Sequence, residues 1–597
     1  MLPSDPGARH IPLVEADDWY APDEHLQWLV RRQVGEAVWP VASSALGELG
    51  HLVPTVVEPL AASADRHPPV LHHFNRRGER IDEIEFHPSY TELERLVTGF
   101  GLVRAAHMPG WRGLPGRAPA ALVAAMNYMV LQADLSVTGC PIGMMDAGAR
   151  CLRRNDPALA ERFVAQLADD TGHHMTMAMF LTEKAGGSDV GANETVATRQ
   201  DDGSWRLNGE KWFASCPHSD LILVMARPEG AGPGTRGLGL FLVPRHLEDG
   251  SRNGLILHRL KEKFGTRGMA SSEAGLRDAF AWAVGDLDRG MKQMLDMVNA
   301  TRVGISATTA AIMRRAAFES LEHTRQRSTF GRVLETHPLM RDTLAELVVD
   351  ATAGLSAALY VAEMLERADG GDRGAADTGR LLTPLFKAHG CERARICATE
   401  AMEVRGGNGA IEDWPNSRIL RDTYIHSIWE GPGNIMALDV LRAIAHGAAP
   451  AYLADVERRA EAVSGDGPAG PLGDAVLGGL RSLERDIDAL GSLDPDAAQL
   501  RGRRLARRMA QTATAARLAE EASEHAAETG SGRLVWLAAR YTARLGGEDA
   551  VAALADDAGW LEHAQPLLHG GHVPLEVGRE AARRAGAGAR GAVPALA

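Results

Sequence analysis

Between residues 182 and 282 the sequence consists of short β-like runs, and on both sides of this block it has the periodicity of helices. The runs, for example 221–224 and 239–243, are apolar and are separated by clusters of Gly, Pro and Asp. Before the block, from 90 to 180, and after it, from Met291 onward, apolar residues recur at helical spacing. This order predicts an α+β protein, mostly α, with one β domain between helical domains.

The 597 residues are too many for one hydrophobic core, and a composition of 45% hydrophobic and 24% charged residues is typical of globular proteins. A Gly- and Pro-rich stretch at 464–473 is expected to be a linker or long loop, and the low-complexity sequence from Arg583 a disordered tail. We expect four domains: a helical N-terminal domain (1–180), a β domain (181–290), a helical bundle (291–447) and a helical C-terminal extension (448–597).

Charge and cysteine content narrow the classes of function. The formal net charge of −14 argues against a chain that binds polyanions over its whole surface, so any nucleic-acid site must be local. The five cysteines contain no CxxC pair, which argues against disulfides and zinc and favours a reducing cytoplasm. No export signal and no membrane span is predicted. The pairs at 72–73 and 173–174 are histidines without metal-ligand spacing, so no metal is predicted.

Four motifs have an ordinary structural interpretation when each is taken alone. T-E-K-A-G-G-S-D at 182–189 can bring backbone N–H groups close to a ligand, or can be a glycine turn that opens a β domain. G-E-K-W-F-A-S at 209–215 places two aromatic rings on a strand, where such rings usually belong to a core. Arg327 in R-S-T-F-G can bind phosphate or lie exposed on a helix. The glycine cluster at 403–409 lacks the strand that precedes a dinucleotide-binding loop.

The fifth motif, S-I-W-E-G-P-G-N at 427–434, places Glu430 among apolar residues and glycines. Most glutamates are surface residues, but these neighbours favour burial. Desolvation would raise the pKa of the carboxyl group toward the range that is useful for a general base. Glu430 is therefore the candidate catalytic residue.

In this order and at these separations the five motifs resemble those of the acyl-CoA dehydrogenase family, over about residues 90 to 445. The resemblance implies a helical N-terminal domain, a central β barrel and a four-helix bundle, with FAD between barrel and bundle and in contact with a neighbouring subunit. It implies that Glu430 takes the α-proton of an acyl-CoA while the β-hydride passes to the flavin. The electrons would then go to an electron-transfer flavoprotein or to oxygen.

The resemblance also assigns residues. Counting from Gly209 and Lys211, the ring that stacks on the flavin is Phe213 and not Trp212. Substrate contacts fall on Thr182, Ser188 and Arg302. The cofactor-binding set comprises Met179, Leu181, Thr182, Gly187, Ser188, Phe213, Ala214, Ser215, Arg327, Thr329, Phe330, Glu403, Val404, Gly406, Gly407, Ile428, Trp429, Gly431 and Asn434.

Several positions depart from the family pattern: Lys184 replaces a proline, Glu403 a glutamine and Asn299 an aspartate, and Pro432 follows the E-G pair. These departures, together with the long sequence beyond Glu430, resemble the AidB branch, the alkylation-response acyl-CoA dehydrogenases. In that branch the C-terminal extension is associated with tetramer assembly and with DNA binding. The resemblance therefore implies a homo-oligomer, in particular a tetramer, and raises the question of a DNA site.

Five arginines of the extension form one dense basic cluster on a helix: Arg501, Arg503, Arg504, Arg507 and Arg508. They can contact the phosphates of duplex DNA, or form a solvated helix face that pairs with Glu520, Glu521 and Glu524. Two alternatives to an acyl-CoA dehydrogenase stay open on the sequence. One is a DNA-associated flavoprotein with weak dehydrogenase activity, and the other is a flavin oxidase or monooxygenase on the same scaffold.

Overall fold

The structure is a computed structural model, and it describes residues 16–555 and 558–591. The first fifteen residues of the predicted N-terminal domain therefore lie outside the described part. The N-terminal block contains eight helices in the described range: α1 (Glu24–Val34), α2 (Trp39–Leu52), α3 (Glu58–Arg66), α4 (Pro88–Phe100), α5 (Leu102–His107), α6 (Ala120–Leu131), α7 (Gly143–Asn155) and α8 (Pro157–Leu167).

A β-hairpin interrupts these helices, which the helical interpretation of this region does not predict. Its strands, β1 (Val70–Phe74) and β2 (Arg80–Glu85), pair antiparallel and are largely exposed. Asp82 lies buried between Arg80 and His73, and its carboxylate also accepts the backbone N–H of Leu257 at 3.0 Å. The hairpin is thus attached to the β domain by a polar contact, which hydrophobic periodicity does not reveal.

The predicted β barrel is confirmed. Strand pairings β6–β4, β4–β5, β5–β9, β9–β7 and β7–β6 form a closed ring, while β3 joins β6 in parallel and β8 joins β9. Closure leaves few free edges and buries apolar side chains inside. The strands are β3 (Met177–Phe180), β4 (Val196–Arg199), β5 (Trp205–Ser215), β6 (Leu221–Pro228), β7 (Gly239–Pro244), β8 (Leu255–Leu260) and β9 (Ser271–Ala283).

The next block is the helical bundle that the resemblance implies. A hairpin of two very short strands, β10 (Ser328–Thr329) and β11 (Arg332–Val333), lies between its first two helices. The second helix, α10, is long and apolar enough to cross a membrane, but 83% of its most apolar window is buried within the fold. The helices are α9 (Gly290–Gln326), α10 (Pro338–Asp369), α11 (Arg373–Arg405), α12 (Pro415–Ile428) and α13 (Gly433–Ala445).

The C-terminal extension is helical as predicted, and its irregular parts are less extensive than expected; residues 464–469 form the predicted loop. The stretch expected to be a linker ends early, since α15 begins at Gly470 and buries Leu472. The tail expected to be disordered belongs to α20 as far as Gly591, and Ala582 and Ala585 are buried. Residues 592–597 lie outside the described part. The helices are α14 (Ala449–Glu461), α15 (Gly470–Leu490), α16 (Pro495–Thr529), α17 (Arg533–Ala543), α18 (Glu548–Ala555), α19 (Ala564–His569) and α20 (Leu575–Gly591).

Candidate active site

A cavity of about 1230 Å³ lies where the barrel, the bundle and the N-terminal helices meet. The barrel contributes Phe213 and Ser215 to its wall, and the bundle contributes Arg302 and Glu430. The N-terminal helices add mainly apolar side chains, among them Leu131. The three motif regions at 181–190, 209–215 and 427–434 therefore contribute to one cavity, although they are far apart in the sequence.

Glu430 lies in the short loop between α12, which ends at Ile428, and α13, which begins at Gly433. Its backbone has a positive φ of 58°, which is unfavourable for a residue with a side chain. The next residue, Gly431, has φ 105°, and a Cβ there would lie 2.5 Å from Cε of Met436. The glycine of the E-G pair is therefore required by the backbone conformation, whereas the close contact involves only the flexible end of the Met436 side chain.

The carboxyl group of Glu430 is in an environment suited to a base. Burial raises its pKa, while the nearby groups Arg302, Thr301 and Lys387 act in the opposite direction. The group is therefore a stronger proton acceptor than an exposed glutamate, and it still faces cations that stabilise its charged form.

Arg302 is 6% exposed, and its guanidinium group donates hydrogen bonds to other residues of the protein. Its Nε donates to the carbonyl oxygen of Glu430 at 3.0 Å, and its Nη1 donates to Asp439 at 3.0 Å and to Asn299 at 3.1 Å. Arg380 donates to the other oxygen of Asp439 at 2.5 Å. Arg302, predicted as a substrate contact, thus lines the cavity but is engaged in holding the Glu430 loop.

On the barrel side the 182–189 loop is held by a buried ion pair. Lys211 donates to Glu183 at 2.5 Å and to the carbonyl oxygen of Met225 at 2.9 Å, and it is 1% exposed. Glu183 also accepts the hydroxyl of Thr195 at 2.5 Å. This anchoring leaves Thr182, Gly187 and Ser188 on the wall of the cavity, together with Met179 and Leu181.

The two adjacent aromatic residues of β5 have different surroundings. Phe213 lines the cavity and is 49% exposed, whereas Trp212 does not belong to the cavity wall in the described structure. Nζ of Lys261 lies near both rings, 3.6 Å from the centroid of Trp212 and 4.6 Å from that of Phe213. The pairing of β5 with β9 shifts register between Lys211 and Ala214, and such a bulge changes the direction of side chains. Ala214, predicted to bind the cofactor, is fully buried and does not belong to the cavity wall in the described structure.

Several predicted cofactor residues are not brought to this cavity. Phe330 lies in the β10–β11 hairpin, is 98% exposed and has φ 49°. Asn434 is exposed at the start of α13. Those that lie outside the cavity wall in the described part of the chain are Ala214, Arg327, Thr329, Phe330, Glu403, Val404, Gly406, Gly407 and Asn434. The cavity of one chain thus contains only part of the predicted set.

The polar groups of the wall suit a flavin. Oγ1 of Thr138 and Nε1 of Trp429 are buried in the cavity wall and have no hydrogen-bond partner among the described residues. Unpaired buried donors are costly, so a ligand with acceptor atoms fits this place. The half-exposed ring of Phe213 offers a face for stacking. Sequence motifs do not include Thr138, Lys387, Arg380 or Asp439. The first three are remote from the 427–434 motif in the sequence, and Asp439 lies just beyond its end.

Three family models match successive parts of the chain. Residues 10–172 match the model described as Adaptive response protein AidB N-terminal domain. Residues 178–279 match Acyl-CoA dehydrogenase, middle domain, and residues 288–445 match Acyl-CoA dehydrogenase, C-terminal domain. The "Putative acyl-CoA dehydrogenase AidB" of Escherichia coli K12 is 35% identical over 395 residues, which are 64% of this chain and 71% of that protein. The chain belongs to the acyl-CoA dehydrogenase family, in its AidB-type branch.

Two further comparisons agree with this membership. The "Broad-specificity linear acyl-CoA dehydrogenase FadE5" of Mycobacterium tuberculosis is 30% identical over 67% of this chain and 69% of its own length. The structure of "Caenorhabditis elegans ACDH-11 in complex with C11-CoA" superposes with a TM-score of 0.81, at 26% identity, over 89% of this chain and 93% of that one. As a member of this family the protein is an oxidoreductase acting on CH–CH groups with FAD as cofactor.

Proposed function

We propose that this acyl-CoA dehydrogenase oxidises the α,β bond of an acyl-CoA, with Glu430 as the base that takes the α-proton. The observation that carries the proposal is the shared cavity, whose wall includes Glu430, the loop residues Thr182 and Ser188, and the candidate stacking ring of Phe213. The α-proton of a thioester is weakly acidic, so the base must be held close to it and must be ionised. The structure of the ACDH-11 relative contains C11-CoA, which supports a substrate of the same class.

The residues that would hold FAD are those of the cavity wall. Phe213 would stack on the ring system, and Ser215, Thr182 and Ser188 would bind its polar edge together with the buried donors of Thr138 and Trp429. When bound, FAD supplies the acceptor for the β-hydride. Glu430 would hold the α-proton at its carboxyl group while the bundle excludes water from the cavity. An electron-transfer flavoprotein is our proposed acceptor of the electrons.

We infer that the protein acts as a homo-oligomer, in particular a tetramer. The support is the exposure of predicted cofactor residues away from the cavity of their own chain, with Phe330 almost fully exposed. In an oligomer the hairpin that carries Arg327 and Phe330 would reach the cofactor of a second copy.

We also propose that the enzyme works in the cytoplasm. All five cysteines are free thiols, which supports this proposal.

Glu430→Gln tests the role of the base. The variant removes the proton acceptor but keeps the size of the side chain, so FAD should stay bound while flavin reduction falls at least about 1,000-fold. The measurement is anaerobic bleaching of the flavin absorption band with a panel of saturated acyl-CoA thioesters. Glu412→Gln, an exposed carboxylate that pairs with Arg421, is the matched control and should behave as wild type. Unchanged reduction in Glu430→Gln contradicts the proposal.

A further inference from the structure

Lys387 is a buried lysine beneath the Glu430 loop, and none of the sequence motifs includes it. It lies on α11 and is 1% exposed. Its Nζ donates to the carbonyl oxygen of Gly431 at 2.6 Å and to that of Ser427 at 3.3 Å. A single ammonium group therefore joins the last turn of α12 to the residue that follows Glu430.

This contact stabilises an unfavourable backbone. A residue with a side chain in the left-handed region costs about 1–2 kcal/mol, and such a conformation persists only where its surroundings hold it. Here Arg302 from α9 binds the carbonyl of Glu430, and Lys387 from α11 binds the carbonyls on both sides of it. The loop is thus fixed from two helices in the conformation that places Glu430 on the cavity wall.

The charge of Lys387 has no structural counter-ion. Arg302 shares its charge with Asp439, whereas Lys387 forms no ion pair with any carboxylate in the described part of the chain. Burial lowers the pKa of Lys387, and the nearby groups Cys391 and Glu430 act against that change.

Several other charged or titratable groups surround this pair. Those that face Glu430 or Lys387 from the packed elements are Arg302, Arg380, Lys387, Cys391, Arg395, His426, Glu430 and Asp439. His426 is buried and its pKa is lowered to about 3, so it is neutral.

We propose that Lys387 is a positioning residue for the reaction: its ammonium holds the 427–431 loop so that Glu430 faces the cavity, and it keeps that carboxylate charged. The inference rests on the proposed role of Glu430 as the base. A purely structural role, the binding of carbonyls at the end of α12, is the rival explanation. The two differ in one respect, because only the first connects Lys387 to the protonation of Glu430.

Three substitutions separate these explanations. Lys387→Met removes both charge and donors, Lys387→Gln keeps a donor without the charge, and Lys387→Arg keeps the charge. Cys391→Ser is the matched control, because Cys391 lies one turn along α11 and its thiol contacts the carbonyl of His426 on α12. The measurement is the pH dependence of flavin reduction in the holoenzyme, with the acyl-CoA thioester that reduces the wild-type flavin fastest.

The reaction needs ionised Glu430, so its rate falls as pH drops through the pKa of that group. Loss of the neighbouring cation raises this pKa, and Lys387→Met and Lys387→Gln should move the acidic limb of the profile upward by about one pH unit. One unit below the wild-type limb the rate would then be about tenfold lower. Lys387→Arg should restore the limb to within about 0.3 unit of wild type, and Cys391→Ser should leave it unmoved.

A limb that stays in place in both Lys387→Met and Lys387→Gln, with or without a uniform loss of rate, overturns the inference. If Lys387→Met loses FAD, Lys387→Gln and Lys387→Arg decide the question, since both retain a donor to the loop. Glu430→Gln distinguishes the two proposals. Full activity of that variant refutes the role of Glu430, whereas inactive Glu430→Gln with an unmoved limb in the Lys387 variants refutes only the role of Lys387.

Discussion

Two groups of predicted site residues differ in what surrounds them. The Glu430 loop is enclosed by α9, α11 and α13, and buried charged side chains bind its backbone. The β10–β11 hairpin with Phe330 projects from the end of α9, and the ring of Phe330 is 98% exposed, with its centroid 6.1 Å from that of His337. The same family resemblance assigned both groups to one cofactor, yet one chain provides an enclosed site only for the first.

The difference in surroundings indicates which part of the site a single chain can form by itself. The loop needs a fixed geometry, because proton transfer is sensitive to displacements of a few tenths of an ångström. Charged side chains of α9 and α11 bind the loop, and Asp439 of α13 binds Arg302. The hairpin is a projecting arm with an exposed aromatic residue, which is a common feature of protein interfaces. We therefore expect substitutions in the first group to act within the chain, and those in the second to act through a neighbouring copy.

Among the substitutions that test this comparison, Asp439→Asn is expected to have the largest effect. Asp439 neutralises Arg302 and Arg380 beside the Glu430 loop, and loss of one partner of a buried ion pair is strongly destabilising. The temperature at which FAD is released should fall by about 5–10 °C, and flavin reduction should fall about 10- to 100-fold. Flavin fluorescence during heating and anaerobic stopped-flow absorption measure the two quantities. If both the FAD-release temperature and the rate of flavin reduction were those of wild type, the hydrogen bonds of Arg302 and Lys387 to the loop carbonyls would hold the loop without Asp439.

Phe330→Ala tests the hairpin and should have an intermediate effect. The side chain is exposed, so its removal costs the single chain little stability. If the hairpin reaches a second copy, the variant should dissociate at protein concentrations where wild type is oligomeric, and FAD affinity should fall about tenfold. Light scattering and flavin titration over a range of protein concentrations check this. Val70→Ala, an exposed apolar residue of the other hairpin, is the control. Equal assembly and equal FAD affinity in Phe330→Ala would exclude the role across an interface.

Much of the cavity could be predicted from the sequence because its motifs are local strings in a fixed order. Glu430, Thr182, Ser188 and Phe213 all lie on the cavity wall, and the choice of Phe213 over Trp212 depended only on counting along β5. The partners that hold these strings were not predicted. Lys387 lies 43 positions before Glu430 in the numbering and has no pattern around it, so only the packing of α11 against α12 makes the connection.

Two expectations for the C-terminal extension, the disordered tail and the glutamate partners of the arginine cluster, are wrong for physical reasons. Runs of Ala and Gly are typical of flexible segments, but in α20 the same small residues allow close packing, and Gly586 lies against the backbone of Pro471. The glutamates expected to neutralise the arginine cluster are out of reach, because residues 508 and 520 are about 18 Å apart along one helix. Instead Glu520 and Glu521 bind Arg517, and Glu524 binds Arg32.

The smallest effect is expected for the arginine cluster of α16. Here too some side chains are bound within the chain while others are exposed, and the exposed ones are the candidates for binding a nucleic acid. Arg507 pairs with Glu392 and Arg508 with Asp486, while Arg501, Arg503 and Arg504 form no ion pair within the part of the chain that the structure describes. If the cluster binds duplex DNA, these three carry the binding. The logarithm of the affinity should then fall with the logarithm of salt concentration with a slope of about −3.

Replacement of Arg501, Arg503 and Arg504 by Ala should abolish this salt dependence, whereas Arg507→Ala should change the affinity less than about twofold because its charge is already neutralised by Glu392. Fluorescence anisotropy with a labelled duplex at several salt concentrations measures both. Binding by the triple variant equal to wild type would place any DNA contact elsewhere. Absence of wild-type binding at low salt would leave these arginines as a solvated helix face, as expected for a chain whose overall charge is negative.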